Sequence, residues 1–248
     1  MLRRCLVTSS LLGLVLLFSG CSSVAYLDTA RVVPEDQYGW GVTLVPLEFA
    51  SDSATHPMAF HPVLIPSVTF SYGIEPKTEV FARTFSVEKS GINYQSLSNF
   101  WNYLGLKAAS VGGKYQYVSG PIDFSLFMEG AVPVGNLLAL LKGDYAIGGG
   151  PIVSCEEPGR FPFTVSAQAL VAGNPGFMSA SWFYSCAQAS AGVPIRLGGR
   201  RQFRILPGIS VYMPLVNSYS QAERQELMPF TIQFGVNFAY APGLDLDE

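Results

Sequence analysis

Alternation of apolar and polar residues runs through most of this chain and leaves it few folds to adopt. In the last segment Phe230, Ile232, Phe234, Val236, Phe238 and Tyr240 share one face, opposite Thr231, Gln233, Gly235, Asn237 and Ala239. That is the two-residue period of a strand with one apolar face, and no helical wheel gathers those residues. The segment before it places Phe203, Ile205, Pro207, Ile209, Val211, Met213 and Leu215 opposite Arg204, Leu206, Gly208, Ser210 and Tyr212, with Leu206 as the large aliphatic on the polar side. The same pattern recurs upstream, and ten strands are expected at 38–49, 63–74, 78–87, 104–118, 122–134, 144–155, 161–172, 179–194, 202–215 and 229–240. In the fourth the alternation slips at Gly112-Gly113, where a bulge would return Tyr115 and Tyr117 to the apolar face.

Two closed architectures share this pattern, and the composition separates them. The chain is 49% hydrophobic and only 13% charged, too apolar and charge-poor for an ordinary soluble domain or a disordered one. Beyond the leader described below, no uncharged apolar run reaches the roughly 18 residues of a membrane-spanning helix. A soluble lipocalin-like barrel would carry Lys and Glu densely on its outer face, whereas the polar face here is mostly Ser, Thr, Gln and Gly. The fold class expected is therefore all-β, an antiparallel transmembrane β-barrel whose apolar face meets lipid. Aromatic residues gather at expected strand ends, with Tyr38, Trp40, Tyr72, Phe161, Phe163, Phe203, Phe238 and Tyr240 at one rim and Tyr145 and Phe230 at the other. Amphipathic rings favour that boundary.

Loop lengths orient the barrel. Glu75-Pro76-Lys77, Ser119-Gly120-Pro121, Glu156 to Arg160 and Ile195 to Arg201 are short polar turns on one rim; Ala50 to Pro62, Glu88 to Tyr103, Gly135 to Gly143 and Val216 to Met228 are longer, with Gly173 to Met178 the exception. Short periplasmic turns and long external loops are the asymmetry of outer-membrane barrels, which puts both termini in the periplasm.

The first twenty residues read as a cleaved export signal, with Arg3 and Arg4 before the apolar run Leu11 to Phe18 and the small pair Ser19-Gly20. Losing those two arginines takes the net charge from −3 to −5, which offers no basic surface to nucleic acid. Leu17-Phe18-Ser19-Gly20-Cys21 resembles the lipobox of bacterial lipoproteins, with Phe18 where Leu is usual. The resemblance implies acylation of Cys21, and Ser22 after it implies delivery to the outer membrane. Together with Thr29-Ala30-Arg31, followed by Pro34 and Gly39, the chain resembles the predicted outer-membrane β-barrel lipoproteins of Gram-negative bacteria. The domain plan is a lipoprotein signal peptide over 1–20, a lipidated N-terminal linker over 21–37, the barrel over 38–241 and a periplasmic tail over 242–248.

Strand parity turns Glu79, Arg83, Lys107, Asp123, Glu129 and Arg204 into the lumen, with opposite signs nearly balanced. They make either a plug of salt bridges or a small polar pore. His56 and His61 stand in the first long loop near Asp52, the single place where a surface hydrolase could find a base, but no paired carboxylates accompany them. Cys155 and Cys186 fall on opposite faces of strands separated by another, so both are expected free. Gly148-Gly149-Gly150 lacks the Lys-Ser/Thr of a phosphate loop and reads as relief for close packing. No catalytic residue, cofactor or metal site is assigned.

The function expected is a monomeric outer-membrane lipoprotein with a structural or narrow-pore envelope role, in contact with outer-membrane lipid and with any small solute or surface ligand unspecified. The alternatives are a binding or adhesion protein using Tyr94, Phe100, Trp101 and Tyr103 of the second long loop, a small outer-membrane hydrolase, and a soluble lipocalin-like periplasmic lipoprotein.

Overall fold

The computed structural model describes residues 27–50, 59–86, 107–133, 145–157, 159–174, 181–197, 202–217 and 231–240. The strands are β1 (Tyr38–Ala50), β2 (Ala59–Glu75), β3 (Thr78–Ser86), β4 (Lys107–Val118), β5 (Asp123–Pro133), β6 (Tyr145–Cys155), β7 (Phe163–Asn174), β8 (Ser181–Gly192), β9 (Ile195–Leu197), β10 (Phe203–Asn217) and β11 (Thr231–Tyr240). Each pairs antiparallel with its neighbour, and β1 pairs with β11 from Trp40↔Tyr240 to Phe49↔Ile232, closing the sheet on itself. Ten long strands form the wall. The short β9 continues the line of β8: Val193-Pro194 interrupts the ladder, Val193 N–H donates to the Pro207 carbonyl at 3.1 Å, and pairing with β10 resumes at Ile195↔Ile205. Pro194 has no N–H to give, so one strand becomes two. The stretch from Ile195 to Leu197, expected as part of a turn, is thereby strand.

Two other expectations are corrected. The Gly112-Gly113 bulge is absent: β3 and β4 pair without a shift from Thr78↔Tyr115 to Ser86↔Lys107, and the irregularity in β4 falls between Gln116 and Val118. Glycines at a strand centre can break an apolar pattern without breaking its pairing, because they carry no side chain to mark a face. His61, expected in a loop, lies in β2 opposite Glu48, since β2 begins at Ala59; His56 lies outside the described residues.

The two faces of the wall differ as a membrane barrel requires. Ser110, Lys114, Asp123, Ser125, Glu129, Thr164, Ser166, Gln168, Arg204, Ser210 and Gln233 are all buried inside, while Val111, Tyr115, Leu126, Met128, Val132, Ile147, Val165 and Val211 are exposed outside. Val111 is 70% and Met128 68% exposed, at the middle of their strands. The interior is not purely polar. Phe127, Ile152, Leu170 and Leu206 are at most 1% exposed, because a barrel this narrow fills its lumen with side chains and needs bulk there. The glycine run sits at a tight strand approach: a Cβ on Gly150 would stand 1.9 Å from the Ala167 carbonyl oxygen.

Candidate functional site

The stretch expected as a linker over 21–37 is, from Leu27 onward, a segment docked inside the barrel. Leu27, Thr29, Ala30, Val32 and Val33 are all buried, Thr29 and Ala30 completely. The segment runs from mid-lumen to the short-turn rim. At its inner end Leu27 packs where Gly208 and Gly235 pair across β10 and β11; a Cβ on either would lie 2.8 or 2.9 Å from a Leu27 methyl. Here glycine makes room for a knob. At its outer end the Pro34 carbonyl oxygen would stand 2.1 Å from a Cβ on Gly73. Asp36 then turns the chain into β1 with φ at 59°, a conformation Asp tolerates better than most residues. Its backbone N–H donates to the Gly73 carbonyl at 2.9 Å, and the Tyr72 hydroxyl donates to its carboxylate at 2.8 Å.

Between those ends the segment is read by side chains from around the wall. Asp28 lies between Lys114 of β4 and Arg204 of β10, at 2.9 Å and 2.7 Å. Arg204 also donates to the Thr29 hydroxyl, Lys114 to the Thr29 carbonyl at 3.1 Å, and the Thr164 hydroxyl of β7 to the Asp28 carbonyl at 2.9 Å. Ala30 N–H donates to Ser154 of β6 at 3.0 Å, and its methyl joins Phe81, Phe127 and Ile152 in an apolar cluster. Arg31 binds Asp123 of β5 at 2.7 Å, and Val33 N–H donates to Glu79 of β3 at 2.7 Å. Loss of water around Asp28 acts to raise its carboxyl pKa, but the fields of Lys114 and Arg204 outweigh this and hold it at about 2. Thr29-Ala30-Arg31 is thus the centre of the docked segment: a hydroxyl for Arg204, a methyl for the apolar cluster and a guanidinium for Asp123.

Of the residues expected in the lumen, Glu79, Arg83, Asp123, Glu129 and Arg204 are buried inside and form two groups. Glu79, Asp123 and Arg204 hold the segment. Arg83 and Glu129 make a separate bidentate pair deeper along the wall, where Glu129 also accepts from Ser110 at 2.8 Å and Gln168 at 3.0 Å. Lys107 pairs with Ser86 at the far end of β4, and its side chain lies outside the described residues. Lys114, which bridges Asp28 and Glu79 at 2.9 Å each, is the lysine that the sequence reading missed. The signal was present, since any reading that turns Tyr115 to the apolar face turns Lys114 to the other. Also missed were Asp28 and a buried pair at the rim, Glu156 with Arg196 at 2.5 Å.

Cys155 is a free buried thiol. Cys21, His56 and the second long loop with Tyr94, Phe100, Trp101 and Tyr103 lie outside the described residues, as do the side chains of His61, Cys186, Tyr145 and Phe230. Beside the segment runs a small cavity of about 50 Å³ of mixed lining, bordered by Thr43, Ser67, Glu79, Lys114 and Asn237 and by Val32, Val33 and Trp40. A wider cleft of about 540 Å³ opens at the short-turn rim around Arg31, Glu35, Gln116, Asp123 and Glu157.

No protein-family model matches the chain, nor does any curated protein sequence. Among solved structures it is similar to Neisserial surface protein A (12% identity, 82% of this chain and 96% of that one, TM-score 0.32). It is also similar to the translocator domain of the autotransporter NalP from Neisseria meningitidis (8%, 82% and 87%, 0.36). A third similar structure is the attachment invasion locus protein Ail of Yersinia pestis (8%, 83% and 99%, 0.29). The closed ten-stranded barrel described above rests on this chain's own strand pairing rather than on these likenesses.

Proposed function

We propose that this protein is a monomeric barrel spanning the bacterial outer membrane, with a structural envelope role and a lumen closed at the short-turn end by its own N-terminal segment. The observation that carries this reading is the inverted face pattern: a closed wall whose charged groups are paired inside and whose outer face is an apolar band. Rings border that band at the short-turn rim. Tyr38 lies 4.7 Å from Tyr72, Tyr240 lies 6.4 Å from Trp40 and 5.2 Å from Phe203, and Tyr117 lies 4.7 Å from Tyr115 and 6.0 Å from Phe124. A soluble barrel would leave those side chains in water, a patch far larger than monomers tolerate. Among the described residues closure pairs each of the ten long strands on both sides, so none of them offers an edge to a second copy. The lumen carboxylates and cations bind one another and the segment, an arrangement suited to holding a plug in place, and no reaction is assigned to it.

The same reading places the short-turn rim in the periplasm and a lipid on Cys21. Heat-modifiable gel mobility of protein extracted from outer membranes, with intact masses of the wild type and Cys21→Ser, tests both parts. Faster migration of the unheated sample and a Cys21-dependent acyl mass are expected. Carbonate-extractable protein with no mobility shift would replace the membrane barrel by a soluble periplasmic one.

A further inference from the structure

The segment from Leu27 to Pro34 is held differently from every strand around it. The wall strands hold one another by backbone ladders; the segment has one parallel bridge, Glu35 to Gly73, at its exit, and otherwise docks through side chains. Its contacts come from β3, β4, β5, β6, β7 and β10, so no single strand carries it. This is how a ligand is bound rather than how a strand is paired. The site is built: Lys114 and Arg204 are 2% and 7% exposed, and both direct their charge at one carboxylate. With Asp28 and Arg31 withdrawn together, Lys114, Arg204 and Arg196 face Glu79 and Glu156, one positive charge in excess, while Asp123 stays at the rim accepting from Gln116 at 3.0 Å. A buried surplus of positive charge draws an anion.

We infer that the lumen contains a carboxylate-binding site, Lys114 with Arg204, which the chain's own Asp28 occupies as an intramolecular ligand, and that displacing Leu27–Pro34 opens a passage preferring carboxylate-bearing solutes no wider than an extended peptide. The width is that of the segment itself. The wall it lies against is lined by Ser154, Thr164 and the Gly208–Gly235 pair, which leave its path clear when it withdraws. Arg83 of β3 and Glu129 of β5 pair deeper in, two strands apart, and Gln168 of β7 donates to Glu129 at 3.0 Å. The rim cleft and the cavity that reaches Lys114 are both bordered by Arg31 and Val32 of the segment, so its withdrawal would join them. The inference rests on the membrane-barrel reading.

The test is conductance of the full chain in planar bilayers under a potassium chloride gradient, repeated with potassium glutamate, alongside gel mobility of each variant. Wild type is expected to be nearly silent. Asp28→Asn keeps the shape and removes the charge; loss of charge-assisted hydrogen bonds is expected to raise the open fraction roughly tenfold to a hundredfold, with an anion-selective reversal potential. Asp28→Asn with Lys114→Gln is expected to open without that selectivity. A disulfide between Ala30→Cys and Ser154→Cys, in a background lacking Cys155 and Cys186, is expected to hold the Asp28→Asn channel shut until reduced. Silence of Asp28→Asn with its mobility shift intact, cation selectivity, or openings that the disulfide does not stop would each overturn the inference. Where a variant fails to insert, labelling decides: Ala30→Cys in the same cysteine-free background, otherwise wild type, is expected to react with a membrane-impermeant maleimide faster in glutamate than in chloride, and equal rates would overturn it. Loss of the mobility shift in wild type would instead sink the membrane reading itself.

Discussion

At the scale of single residues the interior is a set of charges that need one another. Asp28 carries the clearest pH signature. Its carboxyl is held at about 2 by Lys114 and Arg204, below its ordinary value of roughly 3.9. A carboxyl whose pKa is depressed on folding adds stability that is complete above the ordinary value and disappears as pH falls through the folded one. Segment docking is therefore expected to weaken from about pH 4 down to about pH 2. Protease protection of residues 27–34 in folded barrels would show it, with Asp28→Asn flatter across that window; an equally steep decline in the variant would assign the transition to other carboxylates. Arg83 belongs to a different group. With its side chain 2% exposed and bound at two atoms to Glu129, Arg83→Met strands a buried carboxylate and is expected to cost about 3–5 kcal/mol. Arg83→Met with Glu129→Leu should recover most of it in denaturant unfolding, because the desolvation of both charges is then removed.

At the scale of elements, the strands were legible because alternation is a property of a stretch. Expected and observed bounds agree within about four residues across the barrel; β5, expected at 122–134, spans Asp123–Pro133. Interruptions were harder to read. Pro194 was expected to end a strand and only notches it, while Gly112-Gly113 was expected to bulge and does not. The docked segment was illegible for a physical reason. It has no period of its own, and Leu27, Thr29 and Ala30 are placed by residues as distant in sequence as Ser154, Arg204 and Gly235, with Thr29 and Arg204 separated by 175 positions. The motif Thr29-Ala30-Arg31 could be noticed but not located. Its fit can be tested through Leu27 and the glycines. Gly235→Ala puts a methyl 2.9 Å from Leu27 and is expected to cost about 1–3 kcal/mol. Leu27→Ala empties a buried pocket at about 2–5 kcal/mol. Since both act on one space, the double variant is expected to lose less than the sum. Additive losses in thermal or denaturant unfolding would mean that Leu27 does not seat between β10 and β11.

At the scale of the whole molecule, the fold is a closed ladder with its polarity reversed, and that reversal makes a quantitative demand on position. In a lipid-facing wall the cost of a cation depends on depth: about 2–4 kcal/mol at the bilayer midplane and about 0–1 near the interface. Met128 lies midway along β5 and is 68% exposed, while Ile122, immediately before β5 at the short-turn rim, is 49% exposed. In water both positions would accept arginine with little change, because neither side chain is buried. In lipid they must differ. Met128→Arg is expected to destabilise the barrel by about 2–4 kcal/mol in denaturant unfolding from vesicles, and Ile122→Arg by no more than about 1 kcal/mol. In detergent micelles, which thin and hydrate the apolar belt, the gap should shrink. Equal and small effects at both sites would mean that water, not lipid, surrounds this wall. The band between the rings would then need another apolar partner. A large cost at Ile122 with none at Met128 would shift the membrane along the barrel axis and move the ring-bearing rim into its core.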